Sequence, residues 1–548
     1  DAAGRRWLDG TLMPGALPHL RQQGAVTKLI VDDEPYLILG GELHNSSASS
    51  LDYMEPVWER LTAMHLNTVL AVVSWELVEP EEGRFDFALV DGLIEAARAH
   101  DLRLVLLWFG TWKNGMSSYA PGWVKRDDVR FPKVHVEGGR PIEILSTLGE
   151  QTLAADRTAY AALMRHLQNV DGQQHTVIMV QVQNEVGVLG DSRDRSPAAE
   201  QAFAADVPAE LMQHLQQHRD ELDPVLLKRW EGNSLVADGS WQDVFGSGME
   251  TDEIFMAWHY ARYLDQVTAA GKTEYPLPMF ANAWLSSLQA AGWASGGQRP
   301  GEWPSGGPLP HTLDIWLAGA PHLDFLAPDI YQPNFADWCT AYRRRDNPLF
   351  IPEMTRSDVG ARQLFYALGE HDAIGVSPFG IDAVVPEHAL LTRSYGILRQ
   401  LAPRILQMQG SDQMIGFLLD EEQPVIHRRL GGYELEIRLD EGFGQAAERG
   451  GGLIMSTAPD EFFGAGFGFR VSFRGLEPEP SQAGLIAVDE GTFINGTWTP
   501  RRRLNGDETG RGHFWRFRDH APDADDILRS IQGTGMSTCT VYRYRSGP

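Results

Sequence analysis

Two glutamates stand where apolar runs of the sequence end, in a pattern that could carry acid–base and nucleophilic chemistry. Glu185 closes the run that begins at Val177, and Glu353 closes the run that begins at Leu349. A buried carboxylate is costly unless it is compensated, and two close together oppose each other's ionisation. Such strain commonly marks a functional site. We therefore expect both carboxyls to face one pocket.

Cleavage of a glycosidic bond with retention of configuration needs this kind of pair. One carboxylate attacks the anomeric carbon while the other, held protonated, donates to the leaving oxygen. We predict that Glu353 is the nucleophile and Glu185 the acid/base, with their carboxyls about 5–5.5 Å apart. For a single glutamate, an ion pair with Arg356 or Arg362 is an equally good explanation.

The elements that must position these residues are short apolar runs that alternate with segments of helical period. This alternation predicts βα units and a parallel sheet, and eight such strands close a (β/α)₈ TIM barrel. The eight runs are Tyr36–His44, Asn67–Trp75, Leu102–Gly110, Thr176–Glu185, Leu277–Leu285, Leu323–Tyr331, Pro348–Glu353 and Ile374–Gly380.

The chain is long enough for two domains. We predict a catalytic barrel over residues 1–400, with an insertion at about 190–250 that shapes the cleft, because loops after barrel strands lie on the catalytic face. Beyond a helical segment near 388–409 the pattern changes to short, glycine-rich alternating strands. This predicts a β-sandwich-like C-terminal domain over 401–548, either a sugar-binding module or a support for the barrel.

Composition excludes several classes of partner. The 548 residues include 47 Lys and Arg against 74 Asp and Glu, a net charge of −27 that would repel nucleic acid. No apolar stretch is long enough to span a membrane. Cys339 and Cys539 provide neither a disulfide framework nor a metal-ligand spacing. We predict that no cofactor or metal is needed.

Several segments together resemble a known enzyme family. Asn184-Glu185 and Glu353 match the clan of barrel glycosidases whose acid/base follows an Asn on strand four and whose nucleophile ends strand seven. The chain also resembles glycoside hydrolase family 35, the β-galactosidases, in a bacterial branch with a C-terminal β-domain. The segments that carry this resemblance are Gly40-Gly-Glu-Leu-His, Asn67-Thr-Val, Glu79-Pro-Glu-Glu-Gly-Arg-Phe-Asp-Phe and Val180-Gln-Val-Gln-Asn-Glu-Val-Gly.

The resemblance implies hydrolysis of terminal, non-reducing β-linked galactose from an oligosaccharide or glycan by double displacement. It also implies that Asn184 binds the sugar 2-hydroxyl and that Tyr331 orients Glu353. For a sugar-scavenging enzyme of this kind we expect a periplasmic or secreted location with any leader removed. The predicted substrate-binding residues are Asn184, Tyr331, Glu42, Trp75, Glu76, Asn114 and Trp284.

Some of these residues have plain structural alternatives. Tyr331 could cap the barrel core, Glu42 could pair with His44 beneath the pocket, and several tryptophans at strand ends could be core residues rather than stacking platforms. Of Trp75, Trp112, Trp284, Trp316 and Trp338 we expect two to touch sugar, with Trp284 the best candidate.

Two departures from the family pattern leave the sugar open. Trp108-Phe-Gly-Thr-Trp-Lys-Asn-Gly replaces an acidic Cys-Ala-Glu-Trp stretch, and Ser74-Trp-Glu places Glu76 where the family has Asn. A β-glucoside, β-arabinoside or substituted galactoside could therefore be the substrate. A catalytically silent carbohydrate-binding barrel is a second alternative. A metal-dependent lyase or isomerase that uses Asp329, Glu353 and Asp382 is a third, and oligomeric state is left open.

Overall fold

The computed structural model describes residues 7–8, 11–12, 15–287, 296–344, 346–441, 447–476, 481–504, 506–518 and 533–544. Eight parallel strands close into a barrel in chain order, and the eighth pairs with the first. The predicted (β/α)₈ fold is confirmed, because each predicted run holds one strand. The strands are β1 Ile38–Glu42, β2 Thr68–Ser74, β3 Arg103–Phe109, β4 Val177–Val182, β5 Met279–Trp284, β6 Phe325–Ile330, β7 Phe350–Met354 and β8 Gly375–Pro378.

Fourteen α-helices lie in the described part of the chain, where none is long and apolar enough to cross a bilayer. They are α1 Leu51–Ala63, α2 Trp75–Val78, α3 Ala88–Ala99, α4 Gly122–Lys125, α5 Glu150–Asp171, α6 Pro197–Ala204, α7 Ala209–Gln217, α8 Pro224–Gly232, α9 Trp241–Phe245, α10 Met249–Glu274, α11 Leu313–Gly319, α12 Phe335–Tyr342, α13 Asp358–Glu370 and α14 Leu390–Met408. Of these, α6 to α9 occupy the long connection between β4 and α10.

The inside of the barrel is a packed apolar core. Phe280, Phe325 and Phe350 meet there, with ring centroids 5.1 to 6.2 Å apart. An antiparallel sheet of His19–Gln23, Val26–Val31 and Glu34–Tyr36 contributes Leu29 and Val31 to the same cluster. This sheet leads directly into β1, so it closes the end at which the strands begin. The opposite end is left for the polar residues.

The C-terminal region is mostly β, as predicted, and its described strands form one ten-stranded antiparallel sheet. Phe417 and Phe469 lie on strands that are not neighbours in the sheet, yet their ring centroids are 4.7 Å apart. The sheet therefore curls around its own apolar cluster. Its strands are β9 Met414–Leu419, β10 Val425–Leu430, β11 Tyr433–Leu439, β12 Gly450–Ala458, β13 Glu461–Phe467, β14 Phe469–Gly475, β15 Ser481–Ile494, β16 Thr497–Leu504, β17 Trp515–Phe517 and β18 Met536–Tyr544.

The C-terminal sheet packs against α13, the helix that follows β7. Leu453 and Phe463 of the sheet belong to the same buried cluster as Leu364 of α13. The approach is close enough to need glycine, because a Cβ on Gly416 would lie 2.7 Å from the backbone nitrogen of Glu370. One face of the C-terminal sheet thus belongs to the same buried cluster as α13, whereas the interior of the barrel and the side of the sheet that carries Phe417 and Phe469 form separate clusters.

We predict that Phe350→Ala destabilises the protein by about 3–5 kcal/mol, because it leaves a cavity among the three phenylalanines inside the barrel. Urea unfolding followed by tryptophan fluorescence measures the change. Val129→Ala, at a side chain that is 89% exposed, is the control and should change the unfolding free energy by less than about 0.5 kcal/mol. An equal effect of the two substitutions would contradict this description of the core.

Candidate active site

Four carboxyl groups meet at the end of the barrel where the strands finish, and we call Glu42, Glu185, Asp329 and Glu353 the carboxyl cluster. Parallel strands bring their carboxyl ends to one rim, which is why residues far apart in sequence converge there. Asp329 and Glu353 are direct neighbours in the pairing of β6 with β7. All four residues are at most 5% exposed, and carboxylate oxygens of Glu185, Asp329 and Glu353 lie within 4.8 Å of one another.

Glu353 is held from three sides. The side-chain amide of Asn184 donates to its Oε1 at 3.2 Å, and the hydroxyl of Tyr331 donates to its Oε2 at 2.9 Å. The ammonium of Lys113 lies 4.0 Å from Oε1. Two hydrogen bonds and one positive charge compensate the burial of this carboxylate, whereas Arg356 donates elsewhere, to the carbonyl of Phe379.

Glu185 is held by the side-chain amides of Asn282, on β5, and of Asn114, in the loop after β3. Its backbone nitrogen donates to Oδ1 of Asn282 at 2.9 Å, and the side-chain amide of Asn114 donates to its Oε2. Burial, together with the negative charge of Glu353, raises the pKa of Glu185 to about 7, although Lys113 and hydrogen bonds from Asp329 and Asn114 act against the rise. Glu185 can therefore hold a proton close to neutral pH.

Glu42 and Asp329 are also carboxyls that burial favours in the neutral form. Burial and then the charge of Glu353 raise the pKa of both well above the ordinary range. Asp329 accepts a hydrogen bond of 2.6 Å from the side-chain amide of Asn282 and shares a hydrogen bond with Glu185. Within the described residues, neither side-chain oxygen of Glu42 has a hydrogen-bond partner.

Lys113 was missed by the sequence analysis. Its side chain is 4% exposed, and its ammonium lies 4.9 Å from the centroid of the Phe109 ring. Burial acts to lower the pKa of Lys113, but the negative charges of the carboxyl cluster outweigh burial and the net pKa is raised. The sequence does contain a signal for Lys113. This lysine follows an apolar strand and lies in the segment that departs from the family 35 pattern.

The loop that carries Lys113 and Asn114 is anchored by a buried aspartate. Asp156 of α5 accepts hydrogen bonds from Trp108, Thr111, Tyr263 and Gln183, at 2.6 to 3.2 Å. Gln183 in turn accepts from the backbone nitrogen of Trp112 at 3.0 Å. The ends of β3 and β4 are thereby fixed to each other, which sets the position of Lys113 relative to Glu185.

Three residues of the site also have an unusual backbone conformation. Gln183, Glu185 and Asn114 have φ values of 64°, 46° and 51°, in the left-handed region that non-glycine residues seldom adopt. Strained residues of this kind persist where the surrounding structure determines them, and they cluster at functional sites. The hydrogen bonds of Gln183, Glu185 and Asn114 supply that restraint.

The remaining predicted substrate-binding residues differ from one another in position and in burial. Trp284 ends β5, partly exposed, and pairs in register with Asp329. Glu76 lies at the rim, its Oε2 3.9 Å from Nζ of Lys125. Trp75 is fully buried and donates to Oε2 of Glu79 at 2.8 Å, so the prediction that Trp75 stacks on sugar is not supported.

Burial or pairing decides between the alternatives that the sequence left open for three further residues. Trp112 and Trp316 are fully buried core residues. His44 pairs with Asp382 at 3.0 Å and not with Glu42. Glu42 therefore does not form the pair with His44 that the sequence analysis considered, and its carboxyl faces the other members of the carboxyl cluster.

The spacing of Glu185, Asp329 and Glu353 is one that a bound cation can bridge, and it is the single such group among the described residues. The protein supplies its own cation there, the ammonium of Lys113. The raised pKa values of Glu185 and Asp329 favour protons on these carboxyls. The arrangement is therefore suited to proton transfer and nucleophilic attack.

Comparison with protein families finds two matching stretches of the chain. Residues 50–231 match the model of glycoside hydrolase family 42, described as Beta-galactosidase, and residues 391–516 match a Domain of unknown function (DUF5597). The match over part of the barrel is to a family of glycoside hydrolases, which confirms the coarser prediction of a glycoside hydrolase barrel of this clan. The finer prediction of family 35 is not supported, because the matching model is that of family 42.

Individual relatives are distant. A β-galactosidase from Xanthomonas manihotis is 27% identical over 238 residues, which are 42% of this chain and 34% of that protein. The chain thus spans about a third of the length of this curated relative.

Two of the similar solved structures are a β-galactosidase and a β-amylase. A β-galactosidase from Bacillus circulans sp. alkalophilus has a TM-score of 0.45 and 15% identity, with 68% of this chain and 57% of that chain covered. The catalytic domain of a β-amylase from Paenibacillus polymyxa has a TM-score of 0.45 and 11% identity, with 63% and 92% covered.

The raised pKa of Glu185 makes folding stability depend on pH. Because the folded-state pKa of about 7 lies above the ordinary 4.5, the proton on Glu185 stabilises the fold below pH 4.5, and this contribution is lost as the pH rises through 7. Glu185→Gln should therefore gain up to about 3 kcal/mol of unfolding free energy relative to the native protein between pH 4.5 and 8.

Urea unfolding at several pH values measures this difference. Glu55→Gln, at an exposed position of α1, is the matched control and should show no such trend. If the difference in unfolding free energy between the native protein and Glu185→Gln stays constant with pH, the buried environment described for this carboxyl is contradicted.

Proposed function

We propose that the chain is a retaining β-glycosidase that releases terminal β-linked galactose, with Glu353 as nucleophile and Glu185 as acid/base. The observation that carries the proposal is the approach of their carboxylate oxygens to within 4.8 Å across the barrel mouth. Retaining glycosidases hold the two carboxyls about 5–5.5 Å apart, whereas inverting enzymes need about 6.5–9.5 Å to admit a water.

In the first step, Glu353 attacks the anomeric carbon while the proton of Glu185 passes to the departing oxygen. The hydrogen bonds from Asn184 and Tyr331 aim the Glu353 carboxylate, so little reorganisation precedes the attack. A pKa of about 7 lets Glu185 remain a proton donor at neutral pH. The leaving group departs as an alcohol, and a glycosyl ester forms on Glu353.

In the second step, water attacks the anomeric carbon of the ester. Glu353 is now neutral, so the charge that raised the pKa of Glu185 is gone and the deprotonated Glu185 acts as base. Asn184 lies beside Glu353 and can turn its amide to the sugar 2-hydroxyl. The product leaves with the configuration of the substrate, and both carboxyls return to their starting states.

Galactose is the sugar that the comparisons favour. The matched family model and the Xanthomonas manihotis relative are both described as β-galactosidases. The motifs that resemble family 35 support the same clan-level mechanism without fixing the sugar. Lys113 and Glu76 stand where that family has other residues, which keeps a glucoside, an arabinoside or a substituted galactoside as the alternative within one mechanism.

We expect the native chain to release nitrophenol from an aryl β-galactoside and to spare the α-anomer. Glu353→Ala and Glu185→Ala should each lower kcat/KM at least about a thousandfold, because each removes a group that acts in the transition state. Azide should restore turnover of Glu353→Ala and yield the α-galactosyl azide. Nitrophenol absorbance and proton NMR of the products provide the readout.

Four further observations separate the proposal from its competitors. Glu55→Ala, on the outer helix α1, should leave kcat/KM unchanged. Chelator should have no effect, whereas loss of activity on chelation would favour a metal-dependent lyase or isomerase. Binding of galactosides without turnover by the native chain would favour a catalytically silent barrel, and turnover of another β-glycoside alone would correct the sugar.

Tyr331→Phe tests the hydrogen bond to Oε2 of Glu353. The substitution keeps the ring and removes the 2.9 Å donor, so we expect kcat to fall about 10- to 100-fold with little change in KM. Steady-state kinetics with the aryl β-galactoside measures the change. An increase in KM with kcat intact would show instead that Tyr331 serves substrate binding.

A further inference from the structure

One lysine lies among the four acids of the carboxyl cluster, and neither the family match nor the resemblance explains it. Lys113 is buried between Phe109 and the cluster, with its ammonium 4.0 Å from Glu353 Oε1. That separation is longer than a hydrogen bond, so the ammonium acts on Glu353 through space. A buried charge of this kind persists where nearby charges compensate it.

We propose that Lys113 is a positioning residue whose ammonium makes Glu353 the ionised member of the carboxyl cluster. The inference deepens the proposed function, on which it rests. The cluster faces Lys113 from four strands: Glu42 from β1, Glu185 after β4, Asp329 from β6 and Glu353 from β7.

Charge balance explains why one cation suffices. Burial favours the neutral form of Glu42, Glu185 and Asp329. Glu353 accepts hydrogen bonds from Asn184 and Tyr331 and lies 4.0 Å from the ammonium of Lys113, so it is the member of the cluster that is placed to carry a negative charge balanced by Lys113. Without the ammonium, this buried cluster would hold an uncompensated carboxylate, and the proton on any of its members could move to Glu353 and end nucleophilic attack.

The same ammonium suits both halves of the proposed reaction. In the first half, the Glu353 carboxylate forms a bond to the anomeric carbon, the bond to the leaving oxygen breaks, and Glu185 transfers its proton to that oxygen. Glu353 becomes a neutral ester and Glu185 becomes a carboxylate, so one negative charge remains for Lys113 to balance. In the second half, water gives its proton to Glu185, its oxygen binds the anomeric carbon, and Glu353 leaves as a carboxylate.

The first test is the pH profile of kcat/KM for Lys113→Met, a substitution that keeps the length of the chain and removes its charge. An opposite charge at this distance lowers a carboxyl pKa by about 1–3 units, so we expect the acidic limb, set by Glu353, to rise by at least one unit. Lys113→Arg should keep the limb near its native position. Lys133→Met, which removes a lysine paired with Glu143, should leave it unmoved.

The profile distinguishes the proposed role from packing or substrate contact. A lower kcat or a higher KM with both limbs unmoved would overturn the proposal. If Lys113→Met fails to fold, Lys113→Gln replaces it, because glutamine keeps a polar end at the site. The proposal is supported equally if the acidic limb of the kcat/KM profile moves to higher pH for Lys113→Gln and keeps its native position for Lys113→Arg.

A second measurement needs no turnover. The infrared carboxyl band of Glu353 is isolated by subtracting the spectrum of Glu353→Gln from that of its parent, once in the native background and once in the Lys113→Met background. We expect the Glu353 carboxyl to need a pH at least one unit higher for its ionisation in the Lys113→Met background than in the native background. Identical titrations would overturn the proposal. A chain that cleaves no glycoside yet shows the shift would refute the proposed function and leave the role of Lys113 standing.

Discussion

The active end of this barrel depends on the burial of four carboxyl groups around one ammonium. Carboxylates repel one another strongly where water is scarce, and a barrel mouth lined by strand ends provides little water to screen them. The protein meets this cost by keeping protons on the carboxyls whose pKa is raised and by placing Lys113 beside Glu353. The neighbouring amides of Asn114, Asn184 and Asn282 complete the compensation.

This arrangement requires rigid support, because a displacement of about 1 Å would change both the reacting geometry and the charges that each carboxyl experiences. Asp156 provides part of that support by fixing the end of β3 to the end of β4. The C-terminal sheet provides another part, since it packs on α13, directly after the strand that carries Glu353. The C-terminal sheet thus supports the strand that carries Glu353 through its contact with α13.

Much of the fold could be predicted because its determinants are local. Each barrel strand is a short apolar run followed by polar residues, and each crossover helix carries an apolar stripe, so eight repeats indicated a closed barrel. Glu185 and Glu353 were identifiable for the same reason, since each ends such a run. The tryptophans were harder to place. Trp75 and Trp284 both end strands, yet one is buried against Glu79 and the other is partly exposed at the rim.

By itself the sequence determined the number and order of the strands and the two carboxyls at their ends, because apolar patterning and strand termination are encoded within a few consecutive residues. Tertiary structure alone decided that Lys113, Glu42 and Asp329 join those carboxyls. Their meeting depends on barrel closure, which brings together residues from β1, β3 and β6 that lie far apart along the chain. The raised pKa values of Glu42, Glu185 and Asp329 were decided there too, because a pKa is set by burial and by the charges across the barrel mouth.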